Sequence, residues 1–360
     1  MEMEFLAKSP QQRIEYAVKR RCCMSNKEKI KELFKSTTYR TRRNAEFKRS
    51  FLEFSPGVGQ EALSRLDELF PKKISLNSTQ KAGLMIDLAW SSSKLEGNPY
   101  SHLDTIKLLT YGTLPKNASA EDTQMIINHK HAFDLVRNTA DISLRMLREV
   151  HRCLADPGDI EGDTQHFVKK HELGLIRETE TMSITHTAYT PPVFYPGNGS
   201  ERIYDLIDYT MNAASEIENP VESAFYILTR VPYIQAFYDA NKRTSRIMAN
   251  VPLLAAGCMP ISYDIMQKSD YLEAIMAVYE FVDTEIFRDV FLESYTDSYL
   301  KYYPIPPALD DDIRLDLRGY QQDLANFVIS GEKTGRVEFF LAEVSGKSLR
   351  RKPGQSDLDL

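Results

Sequence analysis

Apolar residues in this chain recur mostly at three- and four-residue spacing, the rhythm of helices that bury one face. Leu144, Leu147, Val150, His151 and Leu154 share one such face, and Ile203, Leu206, Ile207 and Met211 share another. Tyr271, Ile275, Val278 and Phe281 continue the pattern, followed by Ile286, Val290 and Tyr295. Start signals agree. Asn77 or Ser78 can cap a helix running toward Trp90, and Asp283 can cap the helix that carries Ile286. Two-residue alternation is scarce. Its best example is Thr181 to Tyr189, TMSITHTAY, a hairpin arm ending against Pro191 and Pro192. The expectation is a mainly α protein, a helical bundle with one short β-hairpin.

Four regions follow from the pattern. Residues 1–74 form a charged helical preamble of two or three helices, and residues 75–302 form the main body. Tyr303 to Pro307, YPIPP, cannot continue a helix. Beyond it, residues 303–360 are a C-terminal extension, with one or two helices over 308–345 and a loose polar tail.

Composition sets limits. The chain has 360 residues, 42% hydrophobic and 27% charged, as expected of a globular protein. Its net charge of −6 argues against a general nucleic-acid binder, yet residues 1–50 hold 14 Lys/Arg against 6 Asp/Glu. That basic arm can touch nucleic acid or an acidic partner, although a solvated helical face is the plainer reading. Cys22, Cys23, Cys153 and Cys258 have no metal-site spacing, and the N-terminus lacks the basic start and apolar core of a signal peptide. The longest apolar run, Ile247 to Ile261, is interrupted by Asn250 and two prolines, so no membrane segment is expected. A reducing, cytoplasmic setting is the default expectation.

The stretch with chemical content is Gln235-Ala-Phe-Tyr-Asp-Ala-Asn-Lys-Arg-Thr-Ser-Arg246. It reads as a loop entering a helix near Asn241. Unpaired N–H groups and the helix dipole at such a start attract anions. Arg243 and Arg246, three apart, project to one side. Asp239 supplies an oxygen ligand for a divalent cation, so the whole reads as a polyphosphate–Mg²⁺ cradle. The plainer alternative is an acid capping a basic surface helix. Asn128-His-Lys-His131 has an i, i+2 histidine pair that would diverge on a helix, and is read as structural.

Phe237, Asp239, Ala240, Asn241, Lys242, Arg243 and Arg246 match the Fic-family pattern H-x-F-x-(D/E)-(G/A)-N-(G/K)-R-x-x-R position by position. Upstream, Ser92-Ser-Lys-Leu-Glu96-Gly97 resembles the family's inhibitory (S/T)-x-x-x-E-(G/N) motif on a helix of about 78–96. Gly174-Leu-Ile-Arg177, with Ile184, Thr185, His186, Thr187 and Tyr189, resembles the G-x-x-R segment and the flap, about 181–192, on which these proteins lay a target chain. The resemblance covers about 75–302. It implies an autoinhibited protein adenylyltransferase moving AMP from ATP to a protein Ser, Thr or Tyr hydroxyl. Asp239 would hold Mg²⁺, and Asn241, Lys242 and Arg243 would lie on the phosphates. Arg246 would grip the terminal phosphate, with Glu96 holding it away at rest. A homodimer is a further expectation of the resemblance.

One departure changes the picture. Gln235 stands where the family has its catalytic histidine. A glutamine amide can orient a hydroxyl but cannot take its proton. A positioned general base is worth about 10²–10⁴ in rate, so the expectation is ATP binding with slow transfer or none. A non-catalytic ATP-binding protein is therefore an alternative, as is a Doc-like phosphotransferase, since Asp-Ala-Asn-Lys-Arg also resembles the Doc variant. An N-terminal nucleic-acid-binding module is the third class.

Overall fold

A computed structural model describes residues 45–177, 184, 187, 189–193, 202–303 and 305–345. The described residues are mainly helical, with two short strands. In chain order, β1 (Ala45–Glu46) precedes α1 (Gln60–Leu69), α2 (Ser78–Glu96), α3 (His102–Tyr111), α4 (Ala120–Val136) and α5 (Leu144–Ala155). Then come β2 (Tyr189–Thr190), α6 (Ile203–Glu216), α7 (Pro220–Ile234), α8 (Asn241–Met248), α9 (Asn250–Ala256), α10 (Lys268–Phe281) and α11 (Glu285–Tyr302). Helices α12 (Pro307–Leu315), α13 (Leu317–Ser330) and α14 (Gly335–Val344) close the described chain.

The centre is α7, buried at every residue from Val221 to Ile234. A helix buried all round has to be covered on every side, and α6, α8, α9 and α10 pack around it. A second group sets α2 against α3 and α4, α4 against α5, and α5 against α8. This brings the C-terminal end of α2 to α8. Helix α2 starts with a reciprocal cap: Asn77 Oδ1 accepts from Gln80 N, and Gln80 Oε1 from Asn77 N, both at 2.9 Å. It stops at Gly97, whose φ of 103° is left-handed. Asp283 accepts from Glu285 N at 2.9 Å, just ahead of α11.

Three regions can be set beside the sequence expectations. Of the expected preamble, residues 1–44 lie outside the described residues, and 45–74 carry one α-helix, α1. Residues 45–59 run along α7, and side chains one face apart on that helix satisfy their backbone. Tyr233 Oη accepts from Lys48 N at 2.9 Å, and Arg230 Nε donates to Phe51 O at 3.2 Å. Tyr226 Oη donates to Leu52 O. Glu222 accepts from the amides of Gly57, Val58 and Gly59 at 2.9, 3.1 and 2.8 Å. Gly57 is required there, because a Cβ would lie 2.4 Å from the Phe225 ring. Second, β2 pairs in parallel with β1, Ala45 opposite Tyr189 and Glu46 opposite Thr190. The expected hairpin arm, Thr181 to Tyr189, lies largely outside the described residues. Third, the C-terminal region supplies three helices. Leu309, Tyr320, Phe327 and Phe340 share one hydrophobic core with Phe51 and α7.

Candidate nucleotide site

The loop 235–240 joins α7 to α8. It is bracketed by two non-glycine residues in the left-handed region, Gln235 at φ 52° and Ala240 at φ 58°, conformations that surrounding contacts must hold. The Asn241 side chain spans the loop. Its Oδ1 accepts from Phe237 N at 3.0 Å, while Nδ2 donates to Phe237 O at 2.8 Å and to Gln235 Oε1 at 3.1 Å. Gln235 Nε2 donates to Pro232 O at 2.8 Å and to Tyr279 Oη at 3.1 Å. From outside, Arg177 Nε donates to Gln235 O, and its Nη2 to Ile234 O at 3.3 Å and Pro192 O at 2.9 Å. Burial lowers this guanidinium to about 10.

Phe237 stacks on His151, centroids 3.9 Å apart and planes 9° apart. His151 Nδ1 accepts from Gly174 N at 3.0 Å. Its Nε2 therefore carries the hydrogen and donates to Asp239 O at 3.3 Å. Burial, with Arg243 adding repulsion, lowers its pKa to about 3, so the ring is neutral.

The first hydrogen bond of α8 runs from Thr244 N to Ala240 O at 2.8 Å. The amides of Asn241, Lys242 and Arg243 precede it and form the helix's positive end. Above them lies a cleft of about 470 Å³, whose walls include Glu96, Ile184, Asp239, Lys242, Lys268 and Tyr279. The Asp239 side chain is 47% exposed, with Oδ2 3.1 Å from Arg243 Nη2. Lys268, which sequence reasoning missed, places its Nζ 2.7 Å from where a Cβ on Gly97 would stand. Among the described residues no group of three or more His, Cys, Asp or Glu is arranged for a metal. His129 is buried and His131 is exposed, so that pair is not a ligand set.

Arg246 does not line the cleft. It is fully buried behind the end of α2, and its Nη2 donates to Glu96 Oε1 at 2.6 Å and to Ser92 O at 3.0 Å. Its Nε donates to Ser92 Oγ at 2.9 Å. Its Nη1 has no acceptor within hydrogen-bond distance among the described residues. Glu96 Oε2 lies 3.4 Å from Lys242 Nζ. Burial alone would raise the Glu96 pKa, but Lys242, Arg246 and Arg243 outweigh it and hold the carboxylate well below its ordinary range.

Gln235, Asp239, Lys242 and Glu96 thus meet at one cleft, with Ile184 on its wall and Gly97 ending the helix above. Other expected residues fall differently. The Asn241 side chain is used up inside the loop. Arg243 is buried, donating to Leu154 O at 3.4 Å, to His166 O and to Asp239, so its donors point away from a ligand. Tyr189 is a core residue, stacked at 4.7 Å on Tyr233 and 5.4 Å on Tyr279, its hydroxyl donating to Tyr233 O at 2.6 Å. Thr187 Oγ1 donates to Glu280 Oε1 at 2.7 Å. Thr185 and His186 lie outside the described residues.

These features define a helical domain whose central loop and helix start open onto a cleft, next to an arginine turned onto a neighbouring helix. Residues 141–253, from α5 through α9, match the family model described as Fic/DOC family. The chain carries a Fic/DOC-family domain. It is 24% identical over 236 residues to the protein adenylyltransferase Fic of Nematostella vectensis, covering 60% of this chain and 50% of that protein. Against protein adenylyltransferase fic-1 of Caenorhabditis elegans it is 21% identical over 187 residues, 50% of this chain and 34% of the relative. The chain thus spans half or less of these relatives' length. Among solved structures, a Fic family protein from Desulfovibrio desulfuricans superposes with a TM-score of 0.54 at 14% identity, over 80% of this chain and 87% of that one. A segment of Fic-1 from C. elegans gives 0.51 at 18%, over 71% and 70%. Both likenesses are of fold.

Proposed function

We propose that the cleft binds ATP with Mg²⁺, that the bound nucleotide is of the kind used to transfer AMP to a protein hydroxyl, and that Glu96 holds the site shut at rest. The observation that carries this reading is the fully buried Arg246, turned onto Glu96 at 2.6 Å within a turn of the α8 cradle. A carboxylate and a triphosphate compete for the same guanidinium, and the charge-assisted pair made with one excludes the other. The relatives' names, protein adenylyltransferases, supply the reaction type.

The donors around the cleft fit a triphosphate: the α8 amides, Lys242 and Lys268, with Arg246 once released. They fit magnesium only as a metal carried by the nucleotide. Asp239 offers one half-exposed carboxylate, and Mg²⁺ in phosphate sites is held by one or two carboxylates plus substrate oxygens. Bound there, the ion would neutralise phosphate charge. In the transfer, an incoming hydroxyl oxygen bonds to the α-phosphorus, the α–β phosphoanhydride bond breaks, and pyrophosphate leaves. The hydroxyl proton has no basic acceptor at Gln235, whose amide is already tied to Pro232, Tyr279 and Asn241. Transfer is therefore slow, which favours nucleotide binding as the resting activity.

The test is calorimetry with ATP–Mg²⁺ together with labelling from α- or γ-labelled ATP, across the native, Glu96→Gly, Gln235→His and double-variant proteins. Tighter binding by Glu96→Gly, and α-label transfer by the double variant about 10²–10⁴ faster than by Glu96→Gly alone, is the expected result. Transfer of γ-label would indicate phosphotransfer instead. A Glu96→Gly protein that takes up no ATP defeats the reading.

A further inference from the structure

His129 has no part in the cleft and is buried completely in α4, yet both its nitrogens face α2 or its own backbone. Nδ1 lies 2.8 Å from Met125 O and 3.1 Å from Ser93 Oγ. A carbonyl oxygen can only accept, so Nδ1 carries the hydrogen and Nε2 is the acceptor. Ser92 Oγ, 2.9 Å from Nε2, must then donate to it. With its single hydrogen committed, Ser92 Oγ presents lone pairs to Arg246 Nε, which donates at 2.9 Å. The polarity of the chain is fixed at every step: Arg246 to Ser92 to His129 to Met125 carbonyl. Burial lowers the His129 pKa to about 3, so the imidazole is neutral and available as an acceptor.

Of the donor bonds holding Arg246 against α2, only one goes to Glu96. The other two go to Ser92, from Nε to Oγ and from Nη2 to the carbonyl. We propose that Arg246 is held by two latches, the Glu96 carboxylate and a Ser92 hydroxyl oriented by His129, so that His129 is a positioning residue for the resting state. The proposal rests on the nucleotide reading above only for what the released arginine would do; the latch itself is a property of the apo protein. Removing Glu96 leaves the Ser92 latch closed. Removing His129 frees the Ser92 hydroxyl to turn toward the backbone of its own helix, and the oriented acceptor for Arg246 Nε is lost. The Ser92 side chain matters only through this hydroxyl, so Ser92→Ala and His129→Leu should act as one change.

The experiment follows two quantities in native, Glu96→Gly, Glu96→Gly/His129→Leu, Glu96→Gly/Ser92→Ala and Glu96→Gly/His129→Gln proteins, with thermal melting to confirm folding. One is hydrogen exchange of the Arg246 Nε–H by NMR without nucleotide, and the other is ATP–Mg²⁺ affinity. Nε–H protection should persist in Glu96→Gly and fall about tenfold with either second change, since a hydrogen bond to a charged donor is worth about a decade. ATP affinity should rise on losing Glu96 and rise again by roughly threefold to tenfold with His129→Leu or Ser92→Ala. A Glu96→Gly/Ser92→Ala/His129→Leu protein should gain nothing more. His129→Gln, whose amide oxygen can accept from Ser92, should restore protection. Loss of Nε–H protection in Glu96→Gly alone, or identical behaviour with and without His129, overturns the latch. The stated exchange pattern with no ATP uptake by any variant leaves the latch standing and overturns the nucleotide reading.

Discussion

Glu96→Gln separates a structural ion pair from a lock. The substitution keeps shape and an acceptor oxygen for Arg246 Nη2 but removes the charge facing a fully buried guanidinium. Replacing the ionised acceptor by a neutral amide oxygen, with the guanidinium still charged, costs about 1–2 kcal/mol. The Lys242 contact, 3.4 Å away and open to the cleft, adds no more than about 1 kcal/mol. Stability should therefore fall by about 1–3 kcal/mol in urea denaturation. The same energy is what ATP must overcome to recruit Arg246, so calorimetry should show affinity rising about fivefold to a hundredfold. The signs are opposite, and that opposition is the signature. The pH dependence adds a check. The folded pKa of Glu96 lies below its unfolded value, so its contribution is complete above about pH 5 and is lost as pH falls through the folded value; the Gln variant should lack that component. A protein that loses stability with unchanged ATP affinity refutes the lock.

Neutral buried His129 and His151, both lowered to about 3 by burial, leave the unfolded chain binding more protons below about pH 6.5. Stability should then fall as pH drops, by up to about 1.4 kcal/mol per unit per histidine, and urea midpoints at pH 5 and 7 should show a flatter slope in His129→Gln. Asp297 has the opposite sign: burial raises it to about 6, so its contribution is lost as pH rises through that value, and Asp297→Asn should gain about 1–2 kcal/mol above pH 6 by thermal melting. Arg177→Ala removes the donors that hold three carbonyls around the left-handed Gln235 and should cost about 3 kcal/mol or more in urea. Asp239→Asn should change stability by less than about 1 kcal/mol while abolishing the magnesium dependence of ATP binding in calorimetry.

Much of this arrangement was legible in the residues. The start of α8 follows from an acid, a small residue and Asn241 ahead of a basic apolar-periodic run, and Asn77 announced α2 through an ordinary cap. The pairing of Glu96 with Arg246 is an implication of the family resemblance; spacing alone shows only that Ser92 and Glu96, four apart at a helix end, face one side. Other features left no local trace. The left-handed conformations at Gln235 and Ala240 belong to residues that do not advertise them, and they are what turns Gln235 and Asn241 inward. The β1–β2 pair joins two-residue strands far apart in sequence, next to a stretch that Tyr233, Arg230, Tyr226 and Glu222 of α7 hold by hydrogen bonds. Lys268 enters the site only because α10 packs beside Gly97.

Inward-turned side chains also decide where chemistry can reside. With Gln235, Asn241, Arg243 and His151 consumed in holding the loop, the groups left to meet a ligand are main-chain amides, two lysines, one half-exposed carboxylate and an arginine that must first be released. On the function proposed above, such a surface suits anionic phosphate and places no general base at position 235. Under the proposed function, binding and transfer would be governed by different positions: the first by whatever frees Arg246, the second by the side chain at 235. A histidine at 235 that keeps the amide's contacts to Pro232 and Tyr279 would restore a base without touching the lock, whereas opening the lock alone would leave a well-loaded but slow site.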